Sequence, residues 1–231
     1  HDSFRVGEDG PTHQPIEQEM QIRLMEQVHN HQGERSMLVL RPADAEETAV
    51  AWQMAMAEKR PVALIFSRQN VKSLPALNCS RRDEAKQAVK GAYVVMDSAN
   101  PQVVMVASGS EVSTLMDGAE MLQKEGIPVR VVSVPSEGLF RDQPKSYQDS
   151  VLLPGVVRYG MTSGLSINLR GLVGDNGVIH GCDHFGYSAP FKVLDDEKME
   201  ETVESIREYG VLVPIIARPK EEVEYLMFLL N

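Results

Sequence analysis

The sequence predicts an α/β protein with mainly parallel sheets, and three observations carry this prediction. Short apolar runs alternate along the chain with segments of helical periodicity. Several of these runs are continuously apolar, as expected of strands that are covered on both faces. The composition, with 42% hydrophobic and 24% charged residues, is that of an ordinary globular protein.

Seven short apolar runs are the candidate strands. Valine and other β-branched residues dominate most of them, as is typical of strands. Two runs lie in the first third of the chain, and five follow a polar stretch. The candidate strands are residues 37–40, 62–66, 93–96, 103–107, 129–134, 178–180 and 211–216.

Helical periodicity appears between and after these runs. One predicted helix has Asp44 as a candidate N-cap, with Glu47 three residues later as in a capping box. A second helix is stopped by Gly126 and Pro128, and a last one begins at Pro219. Their apolar stripes are Ala45, Ala49, Trp52 and Met56, then Val112, Leu115, Met116, Ala119 and Leu122, and finally Val223, Leu226, Met227 and Leu230.

Residues 70–90 break the alternation, because they are polar and carry Pro75 and a charged run. We interpret residues 1–69 as an incomplete first unit, residues 70–90 as a linker and residues 91–231 as a complete second domain. Two strands before the linker are too few for an independent sheet, because its edges and apolar faces would be exposed. With no methionine at the start, we expect a fragment or a processed product.

Charge and composition exclude several function classes. The net charge is −10, and half of it comes from residues 195–208, whose spacing predicts a helix with one solvated face. An acidic chain argues against non-specific nucleic-acid binding. Cys79 and Cys182 are far apart, without disulfide or zinc spacing, which favours a reducing, cytoplasmic location. No membrane span or signal peptide is predicted.

Residues 1–14 form the densest cluster of polar, chemically useful side chains. Two glycines and a proline within residues 7–11 predict a fixed loop, not a helix or a strand. Loops that follow parallel strands lie at the sheet edge where α/β proteins bind ligands. The two histidines are suited to anion binding or proton transfer. An equally good interpretation of the residues alone is a turn whose polar side chains only cap the helix predicted at 14–25.

Ser67, Arg68 and Gln69 directly follow the second candidate strand, which places them at the same kind of sheet edge. A guanidinium recognises phosphate or carboxylate in a planar, bidentate manner. Taken alone, Arg68 is better explained as a surface residue. Together with His1, it predicts an anion site.

Several stretches resemble the transketolases, in the order found in that family. Residues 7–15, GEDGPTHQP, with HDS at residues 1–3, are similar to the hallmark loop of that family. The other similar stretches are LRPAD at 40–44, SRQ at 67–69, GSE at 109–111, VVS at 131–133, DHFG at 183–186 and SAP at 188–190. The resemblance implies the end of the pyrimidine-binding domain followed by the transketolase C-terminal domain.

The resemblance also implies a reaction and four site residues. The reaction is the transfer of a two-carbon ketol unit from a ketose phosphate to an aldose phosphate, as in the pentose phosphate pathway. His1 and Arg68 would hold the substrate phosphate, and Asp9 would accept a hydrogen bond from a substrate hydroxyl. His13 would contact the ketol oxygens and assist proton transfer as the catalytic residue.

Cofactor and partners are implied in the same way. The family uses thiamine diphosphate with a divalent metal, magnesium or calcium, held by a Gly-Asp-Gly…Asn motif in an N-terminal domain. Gly174-Asp175-Asn176 is not that motif, so neither cofactor binding nor a metal is expected of this chain alone. We expect the missing N-terminal portion as a partner and a homodimer, with no nucleic acid or membrane.

Two alternatives stay open. One is another thiamine enzyme, such as a 2-oxoacid dehydrogenase β-type subunit or deoxyxylulose-phosphate synthase, although Glu8 and Gln14-Pro15 favour transketolase. The other is a partner-binding subunit without chemistry of its own. Residues 160–166 depart from the family pattern, and the tail from 211 extends beyond its expected end. His180, Cys182 and His184 are more simply explained as a strand entering a turn than as metal ligands.

Overall fold

The structure is a computed structural model that describes residues 1–186, apart from the side chains at positions 7 and 8. The predicted strand at 211–216, the acidic helix at 195–208 and the helix after Pro219 lie outside the described residues. Within them, helices and parallel strands form the mixed α/β architecture that the sequence predicted.

The first unit contains a two-stranded parallel sheet. Strand β1 (Leu38–Leu40) pairs with β2 (Val62–Leu64), with Leu38 opposite Val62. Both strands are shorter than predicted. Helix α1 (Gln18–Gln27) precedes β1, and α2 (Ala45–Ala57) connects the two strands.

Helix α2 begins as predicted but faces the other way. The side chain of Asp44 accepts a hydrogen bond from the Glu47 backbone N–H at 2.9 Å, which confirms the N-cap. The predicted apolar stripe is exposed, however, with Trp52 51% and Met56 82% accessible. Glu47, Val50 and Ala51 form the buried face. A buried carboxylate with strong hydrogen-bond partners outweighed the apolar periodicity, and the stripe is left open to solvent.

The second unit is built on a five-stranded sheet in the order β3-β5-β4-β6-β7. Strand β3 runs antiparallel to β5, and the other neighbouring pairs are parallel. The strands are β3 (Tyr93–Met96), β4 (Val103–Ala107), β5 (Val129–Ser133), β6 (Val157–Met161) and β7 (Val178–His180). The sequence prediction missed β6.

Helices cover both faces of this sheet. Helix α4 (Glu111–Lys124) packs its predicted stripe against alternate residues of β4 and β5 on one face. Three short helices pack against the opposite face; they are α5 (Glu137–Arg141), α6 (Lys145–Leu152) and α7 (Arg170–Val173). The described part of the unit therefore has three layers, helix–sheet–helix.

Residues 70–90 include helix α3 (Arg81–Ala85), which ties the two units together. The guanidinium of Arg81 binds the Asp44 carboxylate at 2.7 Å and the Glu47 carboxylate at 3.1 Å. The Tyr93 hydroxyl, on β3, donates to the same Glu47 at 2.6 Å. Burial alone would raise the pKa of Asp44, but the hydrogen bonds from Arg81 hold it below its usual value. These contacts fix the first unit against the second.

Candidate functional site

Three of the four predicted site residues, His1, Asp9 and Arg68, lie near the carboxyl end of β2. The backbone N–H of Asp2 donates to the carbonyl of Phe66 at 2.8 Å, so the start of the chain lies beside the turn that follows β2. Gln69, in that turn, donates from its side-chain amide to the carbonyl of Arg5 at 3.1 Å. The structure thereby brings residues 1–5 against the turn at 67–69.

Asp9 and Arg68 are in direct contact. The Nη2 atom of Arg68 lies 2.5 Å from Oδ2 of Asp9, with both side chains partly exposed. This ion pair joins two of the four predicted site residues across the loop and the turn. A guanidinium and a carboxylate side by side at a sheet edge can bind the phosphate and a hydroxyl group, respectively, of one sugar phosphate.

The two histidines are open to solvent. The Nδ1 atom of His13 lies 2.9 Å from the Thr12 hydroxyl, and Nδ1 of His1 lies 2.7 Å from the carbonyl oxygen of Asp2. Both residues are exposed. Each ring therefore has one nitrogen near a local partner that helps to orient it. A cavity beside His1, between α1 and β2, is lined by Asp2, Glu19 and other residues of these elements.

The loop has a more regular backbone than predicted. Gly7–Thr12 forms a short 3-10 helix with a kink at Gly10, whose φ of 65° lies in the left-handed region. The expectation of neither helix nor strand is wrong at this point. A proline follows the kink, and its fixed φ suits helical turns, while glycine adopts the positive φ without a steric penalty.

Behind the loop lies a buried ionic cluster, the Arg41 cluster, which consists of Arg41, Asp2, Glu19 and Glu111. Nη2 of Arg41 is 3.0 Å from the Asp2 carboxylate and 2.5 Å from the Glu111 carboxylate, and Nη1 is 3.3 Å from Glu19. All four residues are at most 5% exposed. Asp2 comes from the loop, Arg41 follows β1, and Glu111 begins α4 of the second unit.

Attraction within the cluster shifts the pKa values of Arg41 and Glu19. Burial alone would lower the pKa of Arg41, but the carboxylates of Glu111, Glu19 and Asp2 raise it. Burial likewise would raise the pKa of Glu19, but Arg41 and Arg23 lower it below its usual value. Three carboxylates thus surround the Arg41 guanidinium, and Glu19 has Arg23 as a second cationic partner at 3.0 Å.

Ser163 connects this cluster to the loop from the second unit. Its backbone N–H donates to Glu111 at 2.6 Å, its hydroxyl oxygen accepts from Arg41 at 3.3 Å, and its carbonyl accepts from the hydroxyl of Ser3. The neighbouring Leu165 N–H donates to the carbonyl of Ile16 at 3.2 Å. Residues 160–166 thus contact the loop at Ser3 and the chain just after the loop at Ile16.

Sequence reasoning assigned no role to Arg41 or Glu111, although both lie in recognised stretches. A weak signal was present, because Arg41 directly follows a buried apolar strand, where a charge needs a partner. Nothing in the sequence identified that partner, since Glu111 is 70 residues away.

Residues 1–186 contain neither a metal-ligating cluster nor a membrane-spanning helix. In that range no group of three or more His, Cys, Asp and Glu side chains is arranged to hold a metal ion. Nor does any helix of that range have the length and hydrophobicity required to cross a membrane. Burial lowers the pKa of His180 and raises that of Cys182, as expected of packed side chains in the neutral form.

Comparison with known proteins identifies two consecutive family domains. Residues 1–73 match the model of the transketolase pyrimidine-binding domain, and residues 91–199 match that of the transketolase-like C-terminal domain. The transketolase of Geobacillus stearothermophilus is 41% identical over 222 residues, which cover 94% of this chain and 30% of that protein. The chain thus spans about a third of the length of such relatives.

Solved structures agree with the sequence comparison. The transketolase from Leishmania mexicana superposes with a TM-score of 0.69 at 36% identity, over 95% of this chain and 30% of that one. A structure described as a split gene transketolase, inactive beta4 tetramer, matches with a TM-score of 0.55 at 19% identity, over 88% of this chain and 64% of that one. At that identity the second match shows the shared fold alone. Two adjoining family domains and relatives of this similarity establish that the chain belongs to the transketolase family.

Proposed function

We propose that this chain is the C-terminal portion of an enzyme that transfers a two-carbon ketol unit between ketose and aldose phosphates. The observation that carries the proposal is the contact between Arg68 and Asp9 at the sheet edge, next to the segment that begins with His1. A cation and a hydroxyl acceptor at this spacing suit a phosphorylated sugar. The pathway is that of the pentose phosphates, and the location is the cytoplasm.

Each of the four residues has a role that suits its chemistry. Arg68 and a protonated His1 bind the substrate phosphate through charge-assisted hydrogen bonds. Asp9 accepts a hydrogen bond from the hydroxyl next to the ketol carbonyl. His13 contacts the ketol oxygens and moves a proton, a task for which imidazole is suited near neutral pH.

Thiamine diphosphate, on which the family depends, supplies the carbanion chemistry when bound. The described residues do not fit the metal–diphosphate part of such a site, because they offer no cluster of metal ligands. We therefore assign the cofactor diphosphate and its magnesium or calcium ion to an N-terminal portion. This chain contributes one wall of the site and is inactive alone.

The N-terminal portion and a second copy of the chain are the proposed partners. The exposed stripe of α2, with Trp52 stacked on Phe66 at 6.0 Å between ring centroids, supports a covered face in the assembled protein. Domain boundaries at 1–69, 70–90 and 91–231 are part of the same proposal. A stand-alone partner-binding subunit remains the second candidate, and the same exposed face favours it.

The decisive experiment is an assay of ketol transfer from xylulose 5-phosphate to ribose 5-phosphate with thiamine diphosphate and magnesium. The chain is assayed alone and with the N-terminal portion added. We expect activity only in the mixture. Activity of the chain alone contradicts the division of the site, and inactivity of both favours the partner-binding subunit. Turnover of pyruvate in place of the sugar phosphates indicates another thiamine enzyme.

A further inference from the structure

We propose that Glu111, in the second unit, is a positioning residue for the substrate-binding loop of the first unit. Through Arg41 and Ser163 it fixes Asp2 and Ser3, and hence His1. The inference rests on the proposed function for the role of His1, but its structural part is independent of that function. It assigns to the second unit a task in substrate binding beyond its contribution to the fold.

Hydrogen bonds hold Asp2 from several directions. One oxygen of its carboxylate accepts from Arg41 at 3.0 Å and from the Ser110 hydroxyl at 2.8 Å, and the other accepts from the backbone N–H of Phe4 at 3.1 Å. Asp2 is 2% exposed, so its orientation is fixed on all sides. Because His1 is its covalent neighbour, a rotation of Asp2 displaces the imidazole.

Glu111 binds both Arg41 and Ser163. One of its oxygens accepts from Arg41 at 2.5 Å and the other from the N–H of Ser163 at 2.6 Å. The same Arg41 nitrogen serves Asp2, and the carbonyl of Ser163 holds Ser3. Glu111 therefore fixes both anchors of the loop start at once.

Space around Arg41 leaves few alternative arrangements. A Cβ atom placed on Gly109 would lie 2.6 Å from Nε of Arg41, so backbone closes one side of the guanidinium. Glu19 occupies the other terminal nitrogen at 3.3 Å. Loss of the Glu111 charge thus leaves Arg41 free to move mainly toward Asp2 or Glu19. Small displacements of a binding group are costly, since about 1 Å of misplacement can lower a rate about 100-fold.

The test uses the complete protein, that is, this chain with its N-terminal portion. Glu111→Gln keeps the shape of the side chain and removes its charge. We expect the KM for a ketose phosphate to rise about tenfold, and the KM for a short unphosphorylated ketol to change less than about twofold. If Glu111 has a structural role alone, the KM values for both substrates change equally, and equal changes overturn the proposal.

A matched control and a second variant make the test independent of folding losses. Glu84→Gln also removes a buried carboxylate, but the hydrogen bonds that Glu84 accepts come from the backbone of residues 77–79, which lie outside the loop. We expect it to leave the ratio of the two KM values unchanged. Ser3→Ala removes only the hydroxyl that binds Ser163, and a rise in KM for the phosphorylated donor alone is expected there too. If Glu111→Gln does not fold, Ser3→Ala decides.

Hydrogen exchange separates this inference from the proposed function. Glu111→Gln and Ser3→Ala are expected to speed exchange at residues 2–6, while Glu84→Gln speeds it only near residues 77–79. Unchanged exchange at 2–6 in a folded Glu111→Gln protein overturns the positioning role. If the wild-type protein transfers no ketol unit but its loop loosens as expected, the proposed function fails and the positioning of the loop stands.

Discussion

At the scale of single residues, the ion pair between Arg68 and Asp9 is weak enough for a bound phosphate to replace it. Arg68 is 41% and Asp9 30% exposed, and ion pairs between exposed groups contribute about 0–1 kcal/mol. A phosphate can therefore recruit the guanidinium without breaking a strong interaction. The buried pairs of Arg41 are the opposite case, because removing one partner leaves an unneutralised charge out of contact with water.

Replacement of Arg68 by alanine tests the phosphate role directly. We expect the KM of the complete protein for phosphorylated sugars to rise about 10–100-fold, because a charge-assisted bidentate contact is lost. Short unphosphorylated ketols should be affected far less. Steady-state kinetics with both donors measures the difference. Arg82→Ala, which removes an exposed arginine from α3, is the control, and equal losses on both donor types would reject the role.

Residue types and strand ends predicted that the loop and the turn at 67–69 lie at the same kind of sheet edge, whereas the role of Asp9 came only from the resemblance to the transketolases. Arg68 directly follows an apolar strand, and Asp9 lies in a loop with two glycines. The contact between Arg41 and Glu111 could not be predicted, because it forms only when the two units pack together. A buried ion pair leaves no periodic pattern in a sequence.

At the scale of elements, hydrophobic periodicity predicted most strands. It failed where contacts from other parts of the chain determine the structure of a segment. Strand β6 was missed because Arg158 and Gly160 interrupt its apolar run. Arg158 instead directs its guanidinium to the carbonyls of Leu152 and Leu172 at 3.2 and 3.0 Å. A Cβ atom on Gly160 would lie 2.7 Å from Val173, so helix α7 approaches the strand too closely for a side chain there.

The junction before β3 depends on a glycine for two reasons. Gly91 has a φ of +85°, and a Cβ atom there would lie 2.2 Å from the Phe140 backbone nitrogen. Gly91→Ala should lower the free energy of unfolding by about 3 kcal/mol or more, since backbone must move. Gly126→Ala is the matched control, because its φ is +83° but no atom lies within 4 Å of the added Cβ.

Only the left-handed backbone strain, about 1 kcal/mol, is expected for Gly126→Ala. Urea unfolding of the two variants measures the difference. Equal losses would show that backbone conformation, and not the approach of α5 to Gly91, determines the cost at this junction.

At the scale of the whole molecule, ionic clusters within the described residues help to hold the two units in one arrangement. Arg81 joins Asp44 and Glu47 to Tyr93 on one side of the contact, and Arg41 joins the loop to α4 on the other. The sequence predicted two units but not how they meet, since charged residues at an interface look like surface charges until the fold buries them. Stability of the arrangement should consequently depend on pH.

Glu19 and Glu26 should make the free energy of unfolding depend on pH in opposite directions, so together they test whether buried carboxylates make stability depend on pH. Burial would raise the pKa of Glu19, but the charges of Arg41 and Arg23 outweigh this effect. The pKa of Glu19 in the folded protein therefore lies below the usual 4.5. Its stabilising contribution is then present above the unfolded pKa and is lost as the pH falls through the folded pKa. Burial dominates at Glu26 and raises its pKa, despite hydrogen bonds from Val39 and Gly138. The stability that protonated Glu26 contributes is present below 4.5 and is lost as the pH rises.

Glutamine substitutions should therefore change the pH profile of unfolding in opposite senses. The ionisation of Glu19 makes the free energy of unfolding rise with pH below about 4.5. Glu19→Gln removes this contribution, so the free energy of unfolding of the variant should depend less on pH in the acid range. Glu19→Gln should also lower the free energy of unfolding by about 1–3 kcal/mol at neutral pH. This is less than for an isolated buried ion pair, because Arg41 keeps its ion pairs with Asp2 and Glu111. The ionisation of Glu26 makes the free energy of unfolding fall as the pH rises above about 4.5, and Glu26→Gln removes this contribution. Denaturant unfolding from about pH 3 to about pH 7 distinguishes the two. Parallel profiles for both variants and the wild type would show that neither carboxylate is coupled to folding as its contacts require.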